Sequence, residues 1–107
     1  MNINIREDTV FLCGADGKRL HLVNGRHSLY YRCPNYEREN RKPDEDVCMN
    51  RMSLLEQERM FHELEKVKDS GCLKPGKRGR VMGFVYEIYE MDERYLSVYV
   101  INKNKCR

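Results

Sequence analysis

Three cysteines placed beside turns constrain the fold of this chain more than any other feature. Cys13 opens the run Cys-Gly-Ala-Asp-Gly, Cys33 closes the run Tyr-Tyr-Arg-Cys, and Cys48 precedes an amphipathic segment. Zinc takes about four ligands in a tetrahedral array, and two turns joined by a short hairpin can present them with few residues. The carboxylate of Asp16 stands where a fourth ligand is needed. The spacing therefore predicts a zinc β-ribbon whose ligands are Cys13, Asp16, Cys33 and Cys48.

The length and composition of the chain favour a fold that needs such a metal. The chain has 107 residues, of which 40% are hydrophobic, so we expect one domain with a small core. Small cores are often supplemented by a structural metal. Five cysteines is an odd count, and thiols beside turns in a reducing compartment are more often metal ligands than disulfides. The expected cofactor is therefore structural zinc.

The chain shows no sign of a membrane or a secreted location. No apolar run is long enough to cross a bilayer, and residues 1–8 are polar and charged, unlike a secretion signal. We therefore expect a cytoplasmic protein that does not contact membranes.

The first third of the chain has the pattern of a small sheet. Residues 10–12 lead into the first ligand turn, residues 19–23 form a strand, and residues 28–32 return after the hairpin turn Asn24-Gly25. This arrangement brings the two ligand turns side by side. Residues 34–47 are dense in charge and read as a loop.

The clearest helix begins after Ser53. The run Ser-Leu-Leu-Glu56 is a capping box, in which the serine hydroxyl and the glutamate carboxylate each accept from an otherwise unpaired amide. The helix is expected to end near Asp69, with Gly71 as the left-handed residue that follows it. Its apolar spacing predicts a core face made of Leu54, Met60, Phe61, Leu64 and Val67.

After residue 80 the apolar period changes to two, which predicts a β-hairpin. One face is expected in the core and comprises Met82, Phe84, Tyr86, Ile88, Leu96, Val98 and Val100. Gly83 within the first strand suggests a bulge or a close approach by another backbone. The expected fold is α+β in a single domain (1–107), with a zinc-ribbon-like part (9–52), one amphipathic helix (53–70) and a C-terminal antiparallel β-hairpin (80–103).

Positive charge is concentrated toward the C-terminus. Residues 1–73 carry twelve Lys and Arg against thirteen Asp and Glu, whereas residues 74–107 carry eight against four. A basic loop and tail of this kind can attract phosphates, although a merely solvated loop and tail fits the sequence equally well. The candidate nucleic-acid-binding residues are Lys74, Lys77, Arg78, Arg80, Lys103 and Lys105.

The opposite face of the hairpin is rich in tyrosine. Tyr89, Tyr95 and Tyr99 could stack nucleic-acid bases or anchor a protein interface. Tyrosine pairing across the hairpin, or burial against the ribbon, is the alternative explanation. The hairpin edge could also pair with another copy of the chain.

The order of residues in the first 67 positions resembles the zinc β-ribbon domain of large serine recombinases. The matching residues are Cys13, Gly17, Leu20, Tyr30, Tyr31, Cys33 and Cys48, and Asp16 stands where that family has its second cysteine. The resemblance implies a DNA-contacting accessory module of a phage or mobile element. It does not imply recombinase activity, because 107 residues leave no room for the catalytic domain.

No set of residues in the sequence predicts catalysis. His62 lies within the predicted helix without an evident partner, and His21 and His27 are more plausible as substitutes for Asp16 at the metal. We therefore expect a small non-catalytic zinc-ribbon protein that contacts nucleic acid through its basic loop and tail. The alternative is a phage-encoded inhibitor that binds a host nuclease or a CRISPR-type defence complex, itself bound to nucleic acid, by protein–protein contact.

Overall fold

The computed structural model describes residues 3–15, 17–24, 29–33 and 50–102. These residues form two helices and seven strands. The helices are α1 (Ile5–Asp8) and α2 (Leu54–Asp69). The strands are β1 (Thr9–Cys13), β2 (His21–Asn24), β3 (Leu29–Arg32), β4 (Arg51–Ser53), β5 (Arg78–Val81), β6 (Phe84–Asp92) and β7 (Tyr95–Asn102).

The strands form two sheets. The large sheet has the order β1-β7-β6-β5, with β1 parallel to β7 and the other pairs antiparallel. The small sheet has the order β2-β3-β4 and is antiparallel throughout. A single bridge between Leu12 and Arg19 links β1 to the segment that leads into the small sheet.

The helix α2 begins and ends where the sequence predicts. Ser53 is its N-cap, and the reciprocal hydrogen bonds of the capping box with Glu56 are both present. At the other end, Gly71 has φ 79°, and the amides of Gly71 and Cys72 donate to the carbonyls of Lys68 and Val67. This is a Schellman ending, which a glycine in the left-handed region makes possible.

The core lies between α2 and one face of the large sheet. Met60, Leu64 and Val67 of α2 are buried, and Phe61 packs at the edge. Leu54, which the helical spacing placed in the core, is exposed. The sheet contributes the alternate residues expected of a strand pair with one buried face: Phe84, Tyr86, Ile88, Leu96, Val98 and Val100.

The expected architecture of one helix and a C-terminal hairpin on a ribbon is wrong. Residues 9–13 do not belong to the sheet that holds residues 21–32, because they pair in parallel with β7 near the other end of the chain. Three elements were also missed, namely β4, β5 and the short helix α1. The chain is an α+β domain made mostly of strands.

The turn between β5 and β6 explains why β5 was missed. Val81 pairs with Phe84, so Met82 and Gly83 form a two-residue turn, and their φ values are 49° and 88°. Positive φ at both positions is the requirement of the tight hairpin turn of type I′. Met82 is therefore exposed and not in the core, and Gly83 is a turn residue and not a bulge. The bulge in β6 lies instead between Ile88 and Glu90.

Candidate functional site

A buried cysteine centre lies where the two sheets meet. Cys13 is the last residue of β1, and Cys33 follows β3 directly. Both are fully buried. Asn50, the residue before β4, is also fully buried and lies between them. Two of the predicted zinc ligands therefore reach the same buried region from different sheets.

The side chain of Asn50 connects the two sheets by hydrogen bonds. Its amide nitrogen donates to the sulfur of Cys13 at 3.3 Å and to the carbonyl of Val100 at 2.8 Å. Its Oδ1 accepts from the backbone amide of Asn102 at 3.0 Å. Its own carbonyl accepts from the amide of Cys33 at 3.1 Å. The buried polar atoms of Asn50 are thus satisfied by residues of both sheets, as buried amides require.

The turn after Cys13 is tightly closed. The amide of Gly17 donates to the carbonyl of Cys13 at 2.7 Å, and the amide of Cys13 donates to the carbonyl of Lys18 at 2.7 Å. Gly17 has φ 76°, which a side-chain-bearing residue adopts at a cost. A closed turn of this kind holds Gly14 and Ala15 next to the buried Cys13.

The other two predicted metal ligands belong to segments outside the described residues. Asp16 and Cys48 lie outside the described residues, as does the substitute His27, and His21 is exposed on β2. Within the described ranges, no group of three His, Cys, Asp or Glu residues could hold a metal ion. Structural zinc therefore stays a prediction. Two observations are consistent with it, namely the burial of Cys13 and Cys33 and the N–H···S hydrogen bond from Asn50. Amide donors to sulfur are a common outer contact of metal-bound cysteine.

The second candidate site is the face of the large sheet opposite α2, here called the outer face. Strand alternation and register place six residues together on it: Arg78, Arg80, Val85, Glu87, Tyr99 and Ile101. Glu87 lies in the middle, opposite Tyr99 of β7 on one side and Arg78 of β5 on the other. The Nε of Arg78 donates to Oε1 of Glu87 at 3.0 Å.

The tyrosines of the hairpin are arranged around this face. The rings of Tyr89 and Tyr99 lie 4.9 Å apart between centroids and are tilted by 52°. Desolvation, together with the nearby Tyr89 and the carboxylates of Glu87 and Glu90, raises the pKa of Tyr99 above its usual value. Tyr89 and Tyr95 are exposed, and Tyr95 lies at the far end of β7. Tyr89 and Tyr99 thus form one aromatic pair, whereas Tyr95 stands apart.

The basic residues do not form the loop that was expected. Arg78 and Arg80 belong to the strand β5, and only Lys74 and Lys77 lie in the turn before it. Lys103 and Lys105 lie outside the described residues. Because β5 is part of the large sheet, its arginines share the outer face with Tyr99. The sequence allowed Tyr99 either to stack bases beside these cations or to anchor a protein interface, but it did not place Arg78 and Arg80 on a strand of the same sheet.

A shallow cavity of about 310 Å³ lies on the outer face, and sequence reasoning missed it. Its lining includes Gly14, Val85, Glu87, Tyr99 and Ile101. The alternation of β6 and β7 could have placed Val85 and Glu87 beside Tyr99. The contribution of Gly14 could not have been inferred, because it depends on the parallel pairing of β1 with β7.

Comparison with known proteins identifies no relative of this chain. No protein-family model matches the chain, and no curated protein or solved structure matches it. The resemblance to the recombinase ribbon therefore stays a prediction from the sequence. Of the helices in the described part of the chain, none is long and apolar enough to cross a membrane.

Proposed function

We propose that this chain is a small non-catalytic binding protein that holds single-stranded nucleic acid on the outer face. The observation that carries the proposal is the placement of Arg78 and Arg80 on the same face as Tyr99. Proteins that bind single strands combine cations that contact phosphates with aromatic rings on which bases stack. An open sheet face is a common platform for this kind of contact.

Charge and exposure on the outer face suit this role. Arg80 has no ion-pair partner among the described residues, and Arg78 uses only its Nε in the pair with Glu87. Lys74 and Lys77 extend the positive charge beyond β5. The phosphates of a strand that crosses β5 would therefore meet cations while its bases lie over β6 and β7.

The metal in this proposal has a structural role. Zinc would be held by Cys13 and Cys33 together with Asp16 and Cys48, and it would supply a cross-link between the two sheets. A reducing cytoplasm would keep these thiols available for the metal. Asn50 would keep the Cys13 sulfur oriented through its N–H···S hydrogen bond.

A protein partner is the second candidate, and the mixed charge of the outer face favours it. Glu87 and Glu90 offset the two arginines, and Tyr89 is exposed. Tyrosine and arginine are both frequent anchors of protein interfaces. Under this second candidate function, the chain is a phage-encoded inhibitor that binds a host nuclease or a CRISPR-type complex.

The experiment that tests the proposal is a titration of the purified protein with labelled single-stranded oligonucleotides at several salt concentrations. Each phosphate contact contributes a slope of about −0.7 in log affinity against log salt. The double variant Arg78→Ala/Arg80→Ala should therefore reduce the slope by about 1.4 and weaken binding to all sequences alike. Arg59→Ala on the exposed side of α2 removes one charge elsewhere and is the control.

Three results would decide against nucleic acid. Affinity that does not depend on salt, or equal loss in the Arg59→Ala control, would mean that the outer face does not contact phosphates. Binding to no strand at all, together with capture of a host protein that Tyr89→Ala abolishes, would favour the inhibitor.

A further inference from the structure

We infer that the outer face selects guanine among the bases of a bound single strand. The inference rests on the proposed function and concerns the cavity between β6 and β7. The three residues that carry it are Tyr99, Glu87 and Arg78, which follow one another across three adjacent strands. An aromatic ring, a carboxylate and a guanidinium therefore lie in one row.

The cavity has the size and the lining of a small ligand site. Its volume of about 310 Å³ is at the lower end of the range for such sites. Val85 and Ile101 pair across β6 and β7 and form its apolar floor. A Cβ at Gly14 would come within 2.5 Å of the Ile101 side chain. Because glycine has no side chain, Ile101 can pack against it and form the end of the cavity next to β1. A flat apolar ring with a polar edge fits this lining.

The ring of Tyr99 is positioned to stack on a base. It lies at the cavity wall, and the neighbouring ring of Tyr89 supports it at 4.9 Å. A supported ring loses little conformational freedom when a base stacks on it. Base–aromatic stacking tolerates any base, so this contact supplies affinity and no selectivity.

Selectivity comes from the pair of Glu87 and Arg78. The carboxylate of Glu87 accepts one hydrogen bond from Arg78, and it retains further acceptor capacity on both oxygens. Within the described residues, the remaining N–H groups of Arg78 have no acceptor. The row therefore presents two acceptors beside a cluster of donors.

Guanine is the base whose Watson–Crick edge complements this row. Its N1–H and N2–H groups are adjacent donors that a carboxylate can accept together, and its O6 is an acceptor that arginine commonly contacts. Adenine and cytosine each offer one exocyclic amine beside ring acceptors, which would face the carboxylate unfavourably. Thymine and uracil offer a single N–H between two carbonyls. A carboxylate therefore discriminates against three of the four base types.

The test uses oligothymidine strands in which one central base is replaced by guanine, adenine or cytosine. The wild type should bind the guanine strand about tenfold more tightly than the others, as a good bidentate base contact implies. Glu87→Gln keeps the size of the side chain and replaces one acceptor by a donor, so it should bind all strands equally. Glu90→Gln makes the same change of charge on the same strand of the sheet and should keep the preference. Far-UV circular dichroism verifies that both variants are folded.

The outcomes separate this inference from the proposed function. Tight, salt-dependent binding of all strands with no preference for guanine would overturn the inference and leave the proposed function intact. Guanosine monophosphate serves as a second probe, because a free nucleotide offers the same base edge. If it binds in a Glu87-dependent way while no strand binds, the guanine site is supported and the proposed function is wrong. Binding of neither probe overturns both.

Discussion

The two sheets of this protein are stabilised by different means. In the large sheet, β6 and β7 have nine and eight residues, and the buried apolar side chains on the face toward α2 are Phe84, Tyr86, Ile88, Leu96, Val98 and Val100. In the small sheet, the strands have four, four and three residues, and Met52 is their one fully buried side chain within the described ranges. Leu22 and Leu29, its apolar residues at the rim, are exposed. Burial of apolar surface, at about 25 cal/mol per Å², therefore supports the large sheet far more than the small one.

The difference explains why polar and sulfur-bearing residues lie where the sheets meet. Besides the packing of Met52 and Tyr31 against the core, the small sheet is attached to the rest of the molecule at the cysteine centre, where Asn50 contacts Cys13, Cys33 and the end of β7. A sheet with little apolar surface needs such directional contacts to fix its position. A metal at the same place would have the greatest structural effect on the small sheet.

The largest effect is expected from loss of zinc through Cys33→Ser. Binding of structural zinc contributes about 10–16 kcal/mol in small zinc-binding peptides, so its loss should release β2, β3 and β4. Native mass spectrometry should find one zinc per chain in the wild type and none in the variant. Hydrogen exchange should then become fast in the small sheet while β6 and β7 stay protected.

Cys72→Ser is the matched control, because Cys72 is an exposed thiol after α2. This variant should retain the metal and the exchange pattern of the wild type. If native mass spectrometry finds no zinc in the folded wild type, the metal prediction is wrong. Asn50 would then be the main polar link between the sheets.

The second largest effect is expected for Asn50→Ala. The substitution leaves the amide of Asn102 without its buried acceptor, and it removes the Asn50 donor from the carbonyl of Val100, which keeps the hydrogen bond from the amide of Gly14. An unsatisfied buried group costs about 1–3 kcal/mol, so the free energy of unfolding should fall by about 3 kcal/mol in urea denaturation. Asn24→Ala, an exposed position at the end of β2, should change it by less than about 0.5 kcal/mol. Equal effects of the two would mean that Asn50 does not hold the sheets together.

The sequence predicts the local parts of this fold well. The capping box at Ser53, the glycine ending at Gly71 and the two-residue period of β6 and β7 are all signals between near neighbours. Each is found in the structure where it was expected. Such signals depend on backbone geometry and on one buried face, both of which leave a short-range pattern.

The sequence could not predict how distant segments pair. The strand β1 lies parallel to β7, more than eighty positions away, and a parallel pair leaves no turn motif between its strands. The turn at Met82 was equally hidden, because asparagine or aspartate is the usual residue at that position of a type I′ turn. For the candidate sites, Cys13 and Cys33, which sequence spacing paired as metal ligands, are both buried next to Asn50, and their role as ligands stays a prediction. The sequence could not place Arg78 in one row with Glu87 and Tyr99, since that placement depends on the missed strand β5.

A smaller effect, confined to the large sheet, is expected for Gly79→Ala. Gly79 lies opposite Tyr86, and a Cβ added there would be 2.5 Å from the tyrosine hydroxyl and 2.6 Å from its ring. The ring must move within a packed core, which costs about 2 kcal/mol in free energy of unfolding. Arg80→Ala, one residue further along β5, should change stability by less than about 0.5 kcal/mol. Hydrogen exchange in the small sheet should stay unchanged in both variants, because their strand belongs to the large sheet.

The smallest effect is expected for Tyr86→Phe, and it should depend on pH. The hydroxyl of Tyr86 donates to Oε2 of Glu63 on α2 at 3.0 Å, so its removal at neutral pH should cost about 1 kcal/mol. Burial, and then the hydrogen bond and charge of Glu63, raise the pKa of Tyr86 above its usual value of about 10. The folded state therefore favours the protonated phenol. This contribution is fully present below pH 10 and is lost as the pH rises toward the raised pKa.

Urea unfolding of both proteins between pH 8 and about pH 11 measures this directly. The wild type should lose stability more steeply than the variant above pH 10, so the difference between them should shrink and then change sign. Lysine titration occurs in both proteins and cancels in the difference. A constant difference across this range would show that Glu63 does not hold the phenol. The link between α2 and the large sheet would then be apolar alone, which would make the contrast with the polar attachment of the small sheet sharper.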